Sequence, residues 1–251
     1  MNDTDLARQI AEAAGRILID LRQSGLFEGK ALGKMGDQLA NQFIMQALRL
    51  HRPEDAVLSE EEKDNAQRLN CHRVWIVDPL DGTREYGEAR ADWAVHVALS
   101  VEGEPALGAV ALPGLPLTLC SGDTLSRPRH EGRLRMVVSR TRPAAEAIAV
   151  AEALNAELIP MGSAGAKAMA IVRGEADIYL HSCGQYEWDS CAPVAVAKAA
   201  GLHVSRIDGS PLRYNQTDTY LPDLLICLKE QAVRVLELTA RALAGNRIAI
   251  S

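Results

Sequence analysis

The run Val74-Trp75-Ile76-Val77-Asp78-Pro79-Leu80-Asp81-Gly82-Thr83 constrains this chain more than any other stretch. Val74 to Val77 read as a buried strand, and it ends in two carboxylates, Asp78 and Asp81. Pro79 has no N–H to offer a regular ladder, and Gly82 lets the backbone turn tightly. Thr83 places a hydroxyl where a helix can begin. Two acids on a stiff strand-to-turn corner, beside exposed backbone N–H groups, suit a divalent metal and a phosphate. Oxygen ligands select hard cations such as Mg²⁺, and helix starts attract anions. Asp-Gly-Thr alone is an ordinary turn. Asp78, Pro79, Asp81, Gly82 and Thr83 together arise by chance in roughly one chain of this length in 10⁴.

Composition narrows the field. At 251 residues, 47% hydrophobic and 24% charged, the chain is an ordinary globule with room for a large core. A net charge of −6 without a basic run argues against a nucleic-acid partner. No apolar stretch reaches the ~18 residues of a membrane span, and the start, Met1-Asn2-Asp3-Thr4-Asp5, is too acidic for a signal peptide. The 5 cysteines, Cys71, Cys120, Cys183, Cys191 and Cys227, form no CxxC. That favours reduced thiols in a cytoplasmic protein. The 6 histidines lack HxH or HxxxH spacing, which counts against a histidine-bound transition metal.

Periodicity organises the rest. Leu6, Ile10, Ala14, Ile17 and Leu21 predict a helix over 4–23, broken by Gly25 and Gly29. A second helix is expected over 37–50, ended by Pro53, and a short strand at Val57-Leu58 leads into Ser59-Glu60-Glu61-Glu62. Trp93, Val95, Val97, Leu99 and Val101 alternate as a half-buried strand. On that strand Trp93 reads as core and His96 as solvent-facing. Segments 107–112 and 116–120 read as two more strands, joined near Pro113-Gly114. Residues 1–122 thus read as an α+β half. The Arg-rich segment 123–133 is a junction, holding Arg127, Arg129 and Arg133, and 134–251 alternates strands and helices as an α/β half.

Four acids stand out for chemistry: Glu60, Asp78, Asp81 and Asp189. Glu60 leaves a strand through a turn, and Asp189 is placed at the N-terminus of an Ala-rich helix over 190–200. A Glu run is usually a solvated face, the reading kept for Glu61 and Glu62, and an Asp before a helix is usually a cap. With the corner, the combination points to a multi-metal site.

Leu58-Ser59-Glu60-Glu61, Trp75 to Thr83 and Glu187-Trp188-Asp189-Ser190-Cys191-Ala192-Pro193 resemble the three metal motifs of the inositol monophosphatase superfamily, in order and spacing. The resemblance covers nearly the whole chain. It implies an α/β/α/β/α sandwich and a Mg²⁺-dependent, lithium-sensitive phosphatase holding two or three ions. It further implies that Glu60, Asp78, the Leu80 carbonyl, Asp81 and Asp189 are metal ligands, and that Glu60 and Thr83 orient the water. The Gly82 and Thr83 amides then hold phosphate. The implied reaction is direct attack by metal-activated water, without a phosphoenzyme. Metals and positioning must supply on the order of 20 kcal/mol or more.

One departure stands in Gly36-Asp37-Gln38-Leu39-Ala40-Asn41. Many relatives carry an acid where Asn41 falls, and an amide can neither act as a base nor neutralise a cation. Asp37, one helical turn away, is the candidate replacement. Lys34 is weighed as a phosphate contact against a plain solvated lysine.

Substrate choice is placed in the second half. Gly162-Ser163-Ala164-Gly165-Ala166-Lys167 opens a helix after a strand and suits an anion. That segment, Asp208-Gly209-Ser210-Pro211-Leu212-Arg213-Tyr214-Asn215 and Thr83-Arg84-Glu85-Tyr86 resemble the 3′(2′),5′-bisphosphate nucleotidase branch. The resemblance implies removal of the 3′-phosphate from 3′-phosphoadenosine 5′-phosphate, a by-product of sulfate assimilation, with tolerance of inositol phosphates and fructose 1,6-bisphosphate. Gly162, Ser163, Asp81 and Asp189 then border the substrate. Lys167 and Arg213 are candidates for the second phosphate, and Tyr186 or Tyr214 for stacking on adenine. Two rivals are an inositol-1-monophosphatase and a catalytically silent metal-binding regulatory protein, the latter favoured only by Asn41. The partner is a small phosphate ester, and relatives are often homodimers.

Overall fold

The computed structural model describes residues 1–126 and 130–248, with side chains described through residue 244. Arg127 and Arg129 of the expected junction lie outside the described residues. In chain order the first elements are α1 (Asp3–Gln23), α2 (Gly29–His51), β1 (Ala56–Ser59), a 3₁₀ turn (Ala66–Asn70), β2 (Arg73–Asp81), α3 (Thr83–Gly87), β3 (Ala94–Val101), β4 (Glu104–Leu112) and β5 (Leu117–Cys120). Next come β6 (Arg135–Ser139), α4 (Ala145–Leu154), β7 (Glu157–Met161), α5 (Ala164–Val172), β8 (Ile178–His181), β9 (Gln185–Tyr186) and α6 (Glu187–Ala199). The remainder is β10 (His203–Ser205), β11 (Tyr220–Leu221), β12 (Leu224–Cys227), a second 3₁₀ turn (Lys229–Gln231) and α7 (Ala232–Ile248).

Two mixed five-stranded sheets carry the fold. One runs β1-β2-β3-β4-β5, antiparallel except for β1 with β2; the other runs β10-β12-β8-β6-β7, with β6 parallel to both β7 and β8. Helices α1 and α2 pack on the outer face of the first sheet. Helices α5 and α6 fill the space between the sheets, and α4 and α7 pair outside the second. The expected layered α/β/α/β/α sandwich is what these contacts build.

Burial on both faces explains the apolar runs. Trp75 and Val77 point towards α1 and α2, while Val74 and Ile76 point towards α5 and α6. The same division splits β3, with Val95, Val97 and Leu99 on one side and Ala94 and Ala98 on the other. The half-buried strand expected there is therefore a two-sided core strand, and each such Val or Leu contributes roughly 1.5–3 kcal/mol. His96, expected in solvent, is 0% exposed, whereas Trp93 is core as anticipated. The second helix starts at Gly29 rather than 37, so Gly29 opens α2 instead of merely breaking a pattern. That earlier start matters for the site.

Candidate active site

The corner is built by a bulge. Asp78 pairs with His96 and Asp81 with Ala94, so β2 uses one more residue than β3 over this step, at the place where Pro79 cannot join the ladder. In a regular strand, residues three apart point to opposite faces. The extra residue cancels that parity and turns both carboxylates the same way. Asp189 meets them from the first turn of α6, and one oxygen from each of the three lies within 4.8 Å of the others. It sits inside that turn rather than at the cap, accepting from its own loop at Tyr186 N (2.6 Å).

Each aspartate is steered by its neighbours. Asp78 accepts from Leu80 N at 3.0 Å. Asp81 Oδ2 accepts from Ser163 Oγ and from Gly165 N (2.7 Å) and faces His96 Nε2 at 3.3 Å, which leaves Oδ1 as its open oxygen. Ser163 caps α5 by accepting from Ala166 N (2.9 Å) while donating to Asp81, and it does so at φ 51°, an unusual value for a non-glycine. Glu60 stands outside this three-acid cluster: it leaves the end of β1 with its N–H on the Val77 carbonyl at 3.3 Å, and its carboxyl faces Asp78 and borders the same cleft.

Crowding sets the protonation. Burial, then Glu60, Asp81 and Asp189, hold Asp78 well above the usual carboxylate range. Burial and Asp189 push Glu60 to about 7, and burial and Asp81 push Asp189 to about 6. Burial works against ionised Asp81 too, but His96, Ser163 and the Gly165 amide outweigh it and bring that group to about 2. Carboxylates this close hold protons unless a cation offsets their repulsion. The oxygen-only donor set fits a hard divalent ion.

Thr83 opens α3, and its hydroxyl donates to the Leu80 carbonyl at 3.1 Å. Gly82 before it takes φ 90°, which glycine adopts without strain. Because α2 begins early, its Gly33 passes against Thr83; a Cβ there would meet Thr83 Cγ2 at 2.6 Å. Asp37, one turn on, lies beside the Thr83 hydroxyl, with burial, Glu61 and Glu60 raising it to about 8. Its Oδ1 is buried without a partner. Asn41 faces elsewhere, donating to Glu62 (2.9 Å) and accepting from Ser59 (2.8 Å). Its amide is a strut between β1 and the acidic loop, and Asp37 is the acid presented to the corner.

Glu60, Asp81, Gly82, Gly162, Ser163, Lys167, Tyr186 and Asp189 border one cleft of about 330 Å³. Tyr186 is 46% exposed and stacks on Trp188 (centroids 4.9 Å apart, planes at 9°). Lys167 is buried, its ammonium donating to the Ser163 (2.6 Å) and Gly162 (3.3 Å) carbonyls. Arg213 lies outside this cleft, ion-paired with Glu104. Tyr214 is 0% exposed, its hydroxyl 3.1 Å from Ser190 Oγ, so it has no face to offer a base. Lys34 is exposed and does not border the cleft. Glu61 and Glu62 are exposed as expected.

Sequence reasoning missed Glu85, Arg140, Arg142 and His181, which border the cleft, and His96 behind it. For His96 a signal existed: a lone imidazole in an unbroken apolar strand needs a buried partner. It also missed a clasp joining the two sides. Arg68, 2% exposed, forks onto Asp64 (2.7 and 2.9 Å) and reaches Asn215 Oδ1 (2.8 Å) and the Gln216 carbonyl (2.9 Å). The Asn215 and Gln216 amides donate to Glu187 at 2.6 and 2.7 Å. The loop leaving Glu60 is thereby tied to the turn that carries Asp189.

Fold and site together define a class: layered α/β phosphatases with a carboxylate metal centre on a bulged strand corner. The inositol monophosphatase family model matches residues 4–237. A 3′-phosphoadenosine 5′-phosphate phosphatase of Mycobacterium leprae is 49% identical over 242 residues, covering 90% of this chain and 89% of that protein. The 3′(2′),5′-bisphosphate nucleotidase CysQ of Escherichia coli K12 is 30% identical over 197 residues, covering 74% and 80%. The crystal structure of CysQ from Bacteroides thetaiotaomicron superposes with a TM-score of 0.81 at 25% identity, covering 90% of this chain and 97% of that one. The chain belongs to the inositol monophosphatase family, and it is a phosphatase. Among the described residues, no helix is long and apolar enough to cross a membrane.

Proposed function

We propose that the chain removes the 3′-phosphate of 3′-phosphoadenosine 5′-phosphate, leaving AMP and phosphate, with Mg²⁺ as the working ion. The observation that carries this reading is the pairing, in one cleft, of Asp81 and Asp189, which cluster with the buried Asp78, with exposed Tyr186 stacked on half-buried Trp188. The acids suit the ester's metal-assisted chemistry, and a flat aromatic face suits a purine, where an inositol ring has no π-face to stack. The similarity to the mycobacterial phosphatase, high and nearly end to end, supports the same substrate.

Glu60, Asp78, Asp189, the open oxygen of Asp81 and the Leu80 carbonyl would hold the ions. When bound, these ions would supply charge neutralisation and a lowered pKa for the attacking water. Thr83, with Asp37 beside it, orients that water as Glu60 does from β1. The Gly82 and Thr83 amides border the phosphate. The Ser163 hydroxyl in the cleft is spent as a helix cap, held between the Asp81 carboxylate and the Ala166 amide, which is in keeping with direct attack by water rather than by a serine. Lithium sensitivity, a cytoplasmic setting, a homodimer, and a first half carrying most ligands with a second carrying Asp189 and the substrate wall complete the reading. Asn41 no longer favours a silent binder, since Asp37 supplies the acid.

The test is Mg²⁺-dependent phosphate release from 3′-phosphoadenosine 5′-phosphate beside inositol 1-phosphate, for wild type and Asp81→Asn. Preference for the nucleotide, abolished in the variant, is expected. Preference for inositol 1-phosphate would overturn the substrate while keeping the chemistry. No release from either by folded protein would favour the silent binder.

A further inference from the structure

Four basic side chains border the described cleft: Lys167, Arg140, Arg142 and His181. Three are committed. Lys167 spends its ammonium on two backbone carbonyls and lies over the Tyr179 ring at 5.3 Å. Arg140 is neutralised twice, by Glu85 at 2.7 Å and Glu88 at 2.5 Å. His181 is buried against the Gly184 carbonyl (3.2 Å).

Arg142 is different. Its guanidinium is exposed and has no ion pair or hydrogen bond among the described residues. Its backbone, in contrast, is held. The Arg142 amide donates to Ser139 Oγ (3.2 Å), its carbonyl takes the Cys183 thiol (3.8 Å), and Arg140 N bonds the Met161 carbonyl (3.2 Å). Arg140's two ion pairs pin the same loop against α3. The Cys183 contact also sets Arg142 beside the short segment that runs into Tyr186.

The chemistry of a nucleoside bisphosphate makes a demand here. Its scissile phosphate goes to the acidic cluster with its ions, and its second phosphate is a further dianion that needs a cation. Arg213, the sequence-based candidate, lies outside the cleft, and Lys167 has already spent its charge. We propose that Arg142 recognises the second, non-scissile phosphate, its planar fork matching two phosphate oxygens. Thr141, which also borders the cleft, adds a hydroxyl on the same wall. This proposal rests on the nucleotide reading above.

The experiment compares kcat/KM for 3′-phosphoadenosine 5′-phosphate with that for adenosine 3′-phosphate, which lacks only the 5′-phosphate. Wild type, Arg142→Ala and Arg142→Lys are measured with Mg²⁺. The wild-type ratio should exceed ten. It should fall roughly 10- to 100-fold in Arg142→Ala, through KM, because one charge-assisted fork is lost. Arg142→Lys should fall in between, retaining the charge and losing the fork. The side chain is exposed, so folding is not at stake. A wild-type preference that survives intact in Arg142→Ala overturns this proposal alone. A wild-type ratio near one overturns the nucleotide reading and this proposal with it.

Discussion

His96 Nε2 lies 3.3 Å from Asp81 Oδ2, with His96 0% and Asp81 7% exposed. The other ring nitrogen, Nδ1, sits 3.0 Å from the Trp188 carbonyl. A carbonyl only accepts, so Nδ1 carries a proton. One imidazole thus spans the strand corner and the first turn of α6, touching one aspartate and the residue before another. Gly165 makes the room: a Cβ there would stand 2.0 Å from Nε2, and its own N–H serves the same Asp81 oxygen.

Groups that orient a metal ligand without touching the ion typically govern affinity by 10- to 100-fold. His96→Leu keeps the buried bulk and removes both contacts. The Mg²⁺ concentration giving half-maximal activity should rise by about 10- to 100-fold, and Gly165→Ala should shift it in the same direction by forcing the ring aside. A half-activating concentration within twofold of wild type in His96→Leu, with an unchanged melting temperature, would remove His96 from this role.

Asp37 and Asn41 make opposite predictions. Asp37 stands beside Thr83, whereas Asn41 braces Ser59 and Glu62. Asp37→Asn keeps the shape and should lower kcat on the order of 10²–10⁴-fold, the usual worth of a positioned acid–base group, with KM little changed. Asn41→Asp in that background should not restore activity, because its carboxylate would point at Glu62. Restoration by Asn41→Asp would relocate the acid to 41, and near-normal kcat in Asp37→Asn would sink the assignment.

The corner was legible because its chemistry is local. Asp78, Pro79, Asp81, Gly82 and Thr83 sit within one bulge and one turn, and both effects act over a few residues. The first helix and most of the second-half elements were legible too, since their periodicities are strong. What escaped depends on which distant elements meet. The alternation in β3 looked half-buried only because a single strand does not reveal that helices cover both faces. His96 was misplaced for that reason. Tyr214 and Arg213 were themselves candidate ligand contacts, yet one packs under α6 and the other pairs with Glu104. The Arg68 clasp joins residues 147 and 148 positions away, beyond any local signal. The start of α2 was missed because Gly29, Gly33 and Gly36 depress helix propensity. Packing overrides that cost: at Gly36 a Cβ would meet Leu18, Leu80 and Tyr86, all at 3.0 Å.

A last prediction concerns stability against pH. Burial holds His181 down at about 4, with Lys167 and Arg142 adding repulsion, and Asp223 and the Gly184 carbonyl acting in the opposite direction. In the unfolded chain the ring takes a proton near 6.5. Below that pH the unfolded state binds a proton that the folded state refuses, so acidification favours unfolding. The contribution of neutral His181 is complete above pH 6.5 and is lost progressively as pH falls to about 4. The span corresponds to about 3 kcal/mol. Urea unfolding of wild type and His181→Asn, at pH 7.5 and pH 4, isolates this group from the carboxylates that titrate in the same window. The variant has no ring to protonate, so wild type should lose up to about 3 kcal/mol more than the variant between the two pH values. A gap between the two proteins that stays constant, or moves in favour of wild type at low pH, would mean that His181 accepts its proton inside the fold.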